Sequence, residues 1–190
     1  MRAIVLLSVI ALAAAAPKKL SSKFLSTPMA RGGGRIVGGT EAYPGEFPHQ
    51  IALLRGGVGG SLMCGGSLVA ADRVITAGHC CDGQSASRLG VRVGSHNLYE
   101  DDPDQADIAV DTVANHEDYD SWTIENDICM LWLADSADLS SSVIDTIGIP
   151  SSGQEYPSGH MCTVSGWGTT SEGGSLARTL MKVSVHYGKG

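Results

Sequence analysis

From Ile36 onward, short apolar runs of four to seven residues alternate with clusters of Gly, Pro, Asn and Asp, and no other feature narrows the fold as far. The runs are Gln50 to Leu54, Ser61 to Cys64, Ser67 to Ala70, Val74 to Ala77, Leu89 to Val93, Asp107 to Val113, Ile128 to Leu133, His160 to Ser165 and Leu180 to Val185. Segments of that length, bounded by turn-forming residues, read as strands, and their number predicts an all-β sandwich or barrel. No window carries an apolar stripe of helical period long enough to specify a helix. No internal repeat of about 20 to 50 residues is visible. A stretch rich in Ser, Asp, Gly and Pro between Ala134 and Pro157 reads as a linker between two β lobes.

The first 35 residues differ from the rest. MRAIVLLSVIALAAAAP combines a basic residue, a largely apolar run from Ala3 to Ala16 and small residues at its end, the pattern of a secretory signal peptide over 1–16. As a helix that run spans about 21 Å, short of the ~30 Å hydrocarbon layer. Residues 17–35 hold Pro17, Pro28 and three glycines before Arg35, and read as a flexible spacer. The same 35 residues carry six basic side chains and no acidic one, whereas the remainder holds 7 Lys and Arg against 20 Asp and Glu, a net of −13. So acidic a body repels phosphate backbones and anionic lipid, which argues against nucleic-acid or membrane partners. Asn97, Asn115 and Asn126 are not followed by the residues an N-glycosylation sequon needs.

Five ordered segments carry chemistry: Arg35-Ile36-Val37-Gly38-Gly39, Cys64-Gly65-Gly66-Ser67-Leu68, Thr76-Ala77-Gly78-His79-Cys80, Asn126-Asp127-Ile128, and Ser165-Gly166-Trp167-Gly168. Together they resemble the trypsin/chymotrypsin family of secreted serine endopeptidases, over Arg35 to about Val185. The resemblance implies two antiparallel β-barrels with the active site between them. It places the first barrel at 36–135, an inter-barrel linker at 136–157 and part of a second barrel at 158–190. It also implies that 17–35 is an activation propeptide.

His79 is the candidate general base, and then general acid. It follows an apolar strand and precedes a cysteine able to pin its turn, unlike His49, His96, His116, His160 and His186, which read as structural or exposed. Asp127 opens the apolar run that follows it, so its carboxylate is expected to be buried and paired with His79. The two are 48 residues apart, against about 45 in the family's template, which sets the nucleophile some 93 residues further, near 220. The Gly-Asp-Ser-Gly-Gly signature of that serine does not occur here. Ser67 and Ser175 follow Gly-Gly but in other contexts, the first in the CGGSL segment and the second in a polar loop. Family members without a working triad keep roughly 10³ to 10⁴ of rate enhancement through the oxyanion hole and substrate binding. The resemblance places both of those beyond Gly190 as well, so residues 1–190 are expected to be a truncated chain that hydrolyses no peptide.

Arg35-Ile36 matches the family's zymogen cleavage site, where an activating protease frees the amine of Ile36. For the cysteines, the resemblance implies a Cys64–Cys80 bridge, and closing about 16 residues is worth roughly 3 kcal/mol. Cys81 and Cys129 each lie two residues from a triad candidate, which leaves open either a second bridge or two small buried thiols. Cys162 is then without a mate, its family partner lying further on. Glu100, Asp101, Asp102 and Asp104 crowd one loop, but the family's calcium-binding glutamates correspond here to Ser95 and Gln105, so the cluster reads as a solvated acidic face and no cofactor or metal is expected.

The function expected is a trypsin-like serine endopeptidase, made as a secreted zymogen that acts on peptides and proteins as a monomer, outside the cell and by analogy in a digestive lumen. The alternative is a non-catalytic serine protease homologue that acts as a binding or regulatory protein.

Overall fold

The computed structural model describes residues 36, 38–170 and 174–188. The signal peptide expected at 1–16, and the propeptide expected at 17–35 with Arg35, lie outside the described residues.

The protein is mostly β. Its strands are β1 (Thr40–Glu41), β2 (Gln50–Arg55), β3 (Ser61–Ala70), β4 (Arg73–Thr76), β5 (Leu89–Val93), β6 (Ala106–Asn115), β7 (Cys129–Leu133), β8 (Met161–Gly166) and β9 (Met181–His186). A one-turn helix, α1 (Gly78–Cys81), and a 3-10 turn at Ala86–Arg88 are too short to leave a period in the sequence. Strands β2 to β7 close into an antiparallel barrel in the order β2-β3-β4-β7-β6-β5, while β1, β9 and β8 form a separate three-stranded sheet.

Two of the expected strands merge. Ser61 to Ala70 is one strand running through Gly65-Gly66, a pair that reads locally as a turn. The barrel needs glycine there, because a Cβ on Gly66 would sit 2.8 Å from the Ile75 carbonyl oxygen and 3.0 Å from the Ile51 side chain. Strand β1, with two residues, carried no sequence signal; it exists because Thr40 and Glu41 pair with Lys182 and Met181 across 140 residues of chain.

Ile51, Leu53, Leu68, Val74, Leu89, Val91, Val93, Ile108, Val110, Leu131 and Leu133 fill the barrel interior. Strand β2 is buried on both faces. Ile51 and Leu53 point into the barrel core, whereas Ala52 and Leu54 join Ala42, Trp167 and Leu180 in a second cluster against the three-stranded sheet. Hence β2 reads as a continuous apolar run and not as an alternation. The same seam carries polar contacts: Trp167 Nε1 and the Leu180 N–H both donate to the His96 carbonyl, at 3.0 and 2.9 Å, and Ser165 Oγ donates to Gln50 Oε1 at 2.7 Å.

The segment after β7 follows the barrel closely. Ala137 and Ile144 are buried in the barrel core, and backbone bonds run from Ala137 to Ala71, Asp145 to Pro48 and Ile147 to Leu68. At the other end, Arg92 of β5 grips Asp107 of β6 through two bonds of 2.6 and 2.9 Å, and Asp107 also accepts the Gly59 N–H at 2.9 Å. Burial opposes ionisation of Asp107, but the bonds from Arg92 and Gly59 and the Arg92 charge outweigh it and hold the carboxyl below its ordinary range.

Two outcomes follow. Leu131→Ala at the fully buried centre of β7 is expected to destabilise the barrel by about 2 to 5 kcal/mol in urea unfolding, whereas Trp122→Ala, at a 95 % exposed side chain, stays within about 0.5 kcal/mol. A carboxyl held low stabilises the fold once it is ionised. Asp107 therefore contributes fully above the ordinary carboxylate range, near pH 4, and loses that contribution as pH falls through its lower folded value. Asp107→Asn should flatten this acid limb of a stability-against-pH curve.

Candidate active site

Strand β4 ends at Thr76, and three residues later His79 sits in the middle of α1. No side chain caps this single turn; it is closed by the Asp82 N–H donating to Gly78 O at 3.0 Å. Gly78 lets the turn lie flat on its neighbours, since a Cβ there would come within 2.8 Å of Asn115 Oδ1 and 3.1 Å of the Ile128 nitrogen. Sequence reasoning passed over Gly78 and Asn115 as site residues. Gly78 stands inside the TAGHC segment, the one local signal available.

Asp127 reaches the same place from the other side, two residues before the start of β7. The loop leading to it is tightly wound: Asp120 pairs with Glu125, Asn126 Nδ2 donates to the Asp118 carbonyl at 2.9 Å, and Ile124 and Asn126 both hold positive φ, 57° and 56°. Asparagine tolerates the left-handed region, while a β-branched isoleucine is strained there by about 1 to 3 kcal/mol.

The structure brings His79 and Asp127 together. His79 Nδ1 lies 2.9 Å from Asp127 Oδ2, and the His79 backbone N–H donates to Oδ1 at 2.7 Å. A carboxylate only accepts, so in the neutral ring this contact selects the tautomer with the proton on Nδ1 and the lone pair on Nε2. Among the described residues Nε2 has no hydrogen-bond partner. Asp127 was expected to be buried; its side chain is instead 22 % exposed, and that of His79 is 47 % exposed. Both lie just beyond the Thr76–Cys129 rung that ends the β4–β7 ladder. The arrangement can take a proton at Nε2 while the carboxylate stabilises the cation that results.

Cys64 is bonded to Cys80 and Cys81 to Cys129. The sulfurs of Cys64 and Cys80 lie near the His79 ring, but a disulfide sulfur is no thiolate, so the trio is not a metal-binding set. Cys162 is a free thiol. Ser67 is locked into β3 opposite Gln50 and Ile75, and Ser175 is exposed in a loop; neither bonds to His79. In the acidic loop, Asp102 turns inward and accepts the His96 and Asn97 N–H groups at 2.7 and 3.1 Å, while Glu100, Asp101 and Asp104 face solvent. Ile36 is buried, and its N–H donates to the Thr169 carbonyl at 2.8 Å.

Comparison with known proteins agrees on one family. The family model described as Trypsin matches residues 36–189. Trypsin Blo t 3 of Blomia tropicalis is 33% identical over 186 residues, 97% of this chain and 67% of that protein. Brachyurin of Leptuca pugilator is 36% identical over 79% of this chain and 63% of its own length. Duodenase-1 of Bos taurus is 41% identical over 71% of this chain and 52% of its own length. Among solved structures, human heparin binding protein superposes with a TM-score of 0.72 at 29% identity, covering 80% of this chain and 65% of that one. The chain thus spans between about half and two thirds of the length of these relatives.

Peptide mapping by mass spectrometry without reduction is expected to recover Cys64–Cys80 and Cys81–Cys129 as linked pairs. Recovery of Cys81 and Cys129 as alkylated thiols would contradict the fold at this point. Removing the second bridge should cost more stability than removing the first, about 4 against about 3 kcal/mol, because its loop is the longer.

Proposed function

Because this chain belongs to the trypsin family of serine proteases, we propose that it carries the proton-transfer half of a trypsin-like endopeptidase acting on peptides and proteins. One observation carries the reading: the Asp127 carboxylate holds both the Nδ1 side of the His79 ring, at 2.9 Å, and the His79 backbone N–H, at 2.7 Å. This double hold selects the tautomer in which Nε2 accepts the proton of an attacking serine hydroxyl. His79 then gives that proton to the leaving amine, and Asp127 remains ionised throughout.

Neither the serine nor its Gly-Asp-Ser-Gly-Gly context occurs in residues 1–190, and the backbone donors for an oxyanion would come with that context. Residues 1–190 by themselves are therefore inactive in this proposal. We assign 1–16 as a secretory signal. The bond after Arg35 is the activation cleavage site, opened by a protease that cuts after a basic residue, so the protein works outside the cell as a zymogen product. No helix among the described residues is long and apolar enough to cross a membrane. The second reading is a non-catalytic homologue that binds a partner.

Hydrolysis of Arg-, Phe- and Ala-type chromogenic peptides, before and after cleavage at Arg35, tests the proposal. Residues 1–190 should show no turnover in either state. A gene whose reading frame continues into a Gly-Asp-Ser-Gly-Gly segment should give an enzyme in which Asp127→Asn lowers kcat by about 10⁴. Genomic sequence with a confirmed stop after codon 190 would overturn the enzyme reading and favour the binding homologue.

A further inference from the structure

We propose that the Cys81–Cys129 disulfide is a positioning clamp for the His79–Asp127 pair; the proposal rests on the reading of that pair given above. The geometry is that of a small ring. Thr76 of β4 is paired with Cys129 of β7, the last rung of the β4–β7 ladder. Five residues beyond Thr76, Cys81 returns to the same Cys129 through its disulfide. Residues 76–81 therefore make an arch with both feet on Cys129, one held by the ladder and one by a covalent bond, and His79 stands inside it. Asp127 leaves the same residue in the other direction, two positions upstream.

Within the arch Cys80 is also bonded to Cys64 of β3, an attachment that does not reach the Asp127 segment. Helix α1 is a single turn with no side-chain cap, and the segment carrying Asp127 is exposed at Ile128 and strained at Ile124. Without the bridge, the two residues would be held together by the hydrogen bonds between them and by the packing of Gly78 on Asn115 and Ile128, with no covalent link between their segments. The bridge itself is well anchored: Cys81 and Cys129 are 3% and 1% exposed and belong to the barrel core. The neighbouring Cys64–Cys80 bridge does something different. It ties α1 to β3, whereas the Cys81–Cys129 bridge ties α1 to the residue two positions after Asp127. Two adjacent cysteines thus fasten one helical turn to two strands, and only the second fastening sets the distance from His79 to Asp127.

The clamp predicts a selective effect in the 190-residue chain. The His79 N–H, which donates to Asp127 Oδ1, is followed by hydrogen exchange, and the His79 ring tautomer by ¹⁵N NMR. In Cys81→Ala/Cys129→Ala the His79 N–H should lose at least about tenfold more protection than the core amides of Leu53 and Val91, which fall only with the global stability, and the ring should become a mixture of tautomers. In Cys64→Ala/Cys80→Ala the fold should lose stability but His79 should keep its Nδ1–H form. Stepwise reduction of the unmodified chain, with alkylation and mass mapping, reports the same coupling should the first variant not fold: His79 protection should disappear together with the Cys81–Cys129 bond. Unchanged exchange and tautomer after loss of that bond, or loss of both on removal of Cys64–Cys80, would overturn the clamp. Absence of the Nδ1–H form in the unmodified chain would instead overturn the reading of the His79–Asp127 pair.

Discussion

The closure of the six-stranded barrel depends on rungs formed between distant parts of the chain, and the rung between Thr76 and Cys129 is the one from which the site is built. Cys129 also pairs with Asn115 of β6, so a single residue joins β4, β6 and β7 where the ladder stops. Beyond that point the backbone is released from sheet geometry. A released backbone can place side chains where a strand cannot, provided something else holds it. Here α1 and loop 116–128 lean on each other across Gly78, with two disulfides underneath.

A second constraint sits on the opposite wall. The outer face of β2 is apolar and has to be covered, and Ala42, Trp167 and Leu180 cover it. His96 lies at the centre of this seam: its carbonyl accepts from Trp167 and from Leu180, and its Nε2 lies 2.9 Å from Glu41 Oε1. Of the two readings left open for His96, structural or exposed, its place in the seam is the structural one. The three-stranded sheet is thus fastened to the barrel through backbone acceptors and a small apolar cluster, and Ser165 and Gln50 share the one side-chain bond across the strands β8 and β2.

Electrostatics shapes the surface more than the fold. The acidic excess is spread over loops; where a carboxylate is turned inward it meets a defined donor, as Asp107 meets Arg92 and Gly59, and Asp102 meets the His96 and Asn97 amides. Asp127 follows the same rule with His79. The difference is that both members of this pair stay in contact with solvent, which leaves one ring nitrogen available for proton exchange.

Strand identity was legible because it is local: apolar runs bounded by Gly, Pro and Asp marked β2, β4, β5, β6, β7, β8 and β9 to within two residues at each end. Motif residues were legible for the same reason, and the CGGSL, TAGHC and NDI segments named His79, Asp127, Cys64 and Cys80 directly, while the state of Cys81 and Cys129 stayed open. What no window could contain is pairing between remote segments. That Gly65-Gly66 continues a strand, that Thr40–Glu41 is one at all, and that Ala137 and Ile144 turn back into the barrel core depend on neighbours supplied from elsewhere in the chain. The sequence by itself determined which residue types were available and where the backbone could extend. Only the tertiary structure decided that residues 48 positions apart stand 2.9 Å from each other, because barrel register, and not local preference, sets which ends of which strands meet.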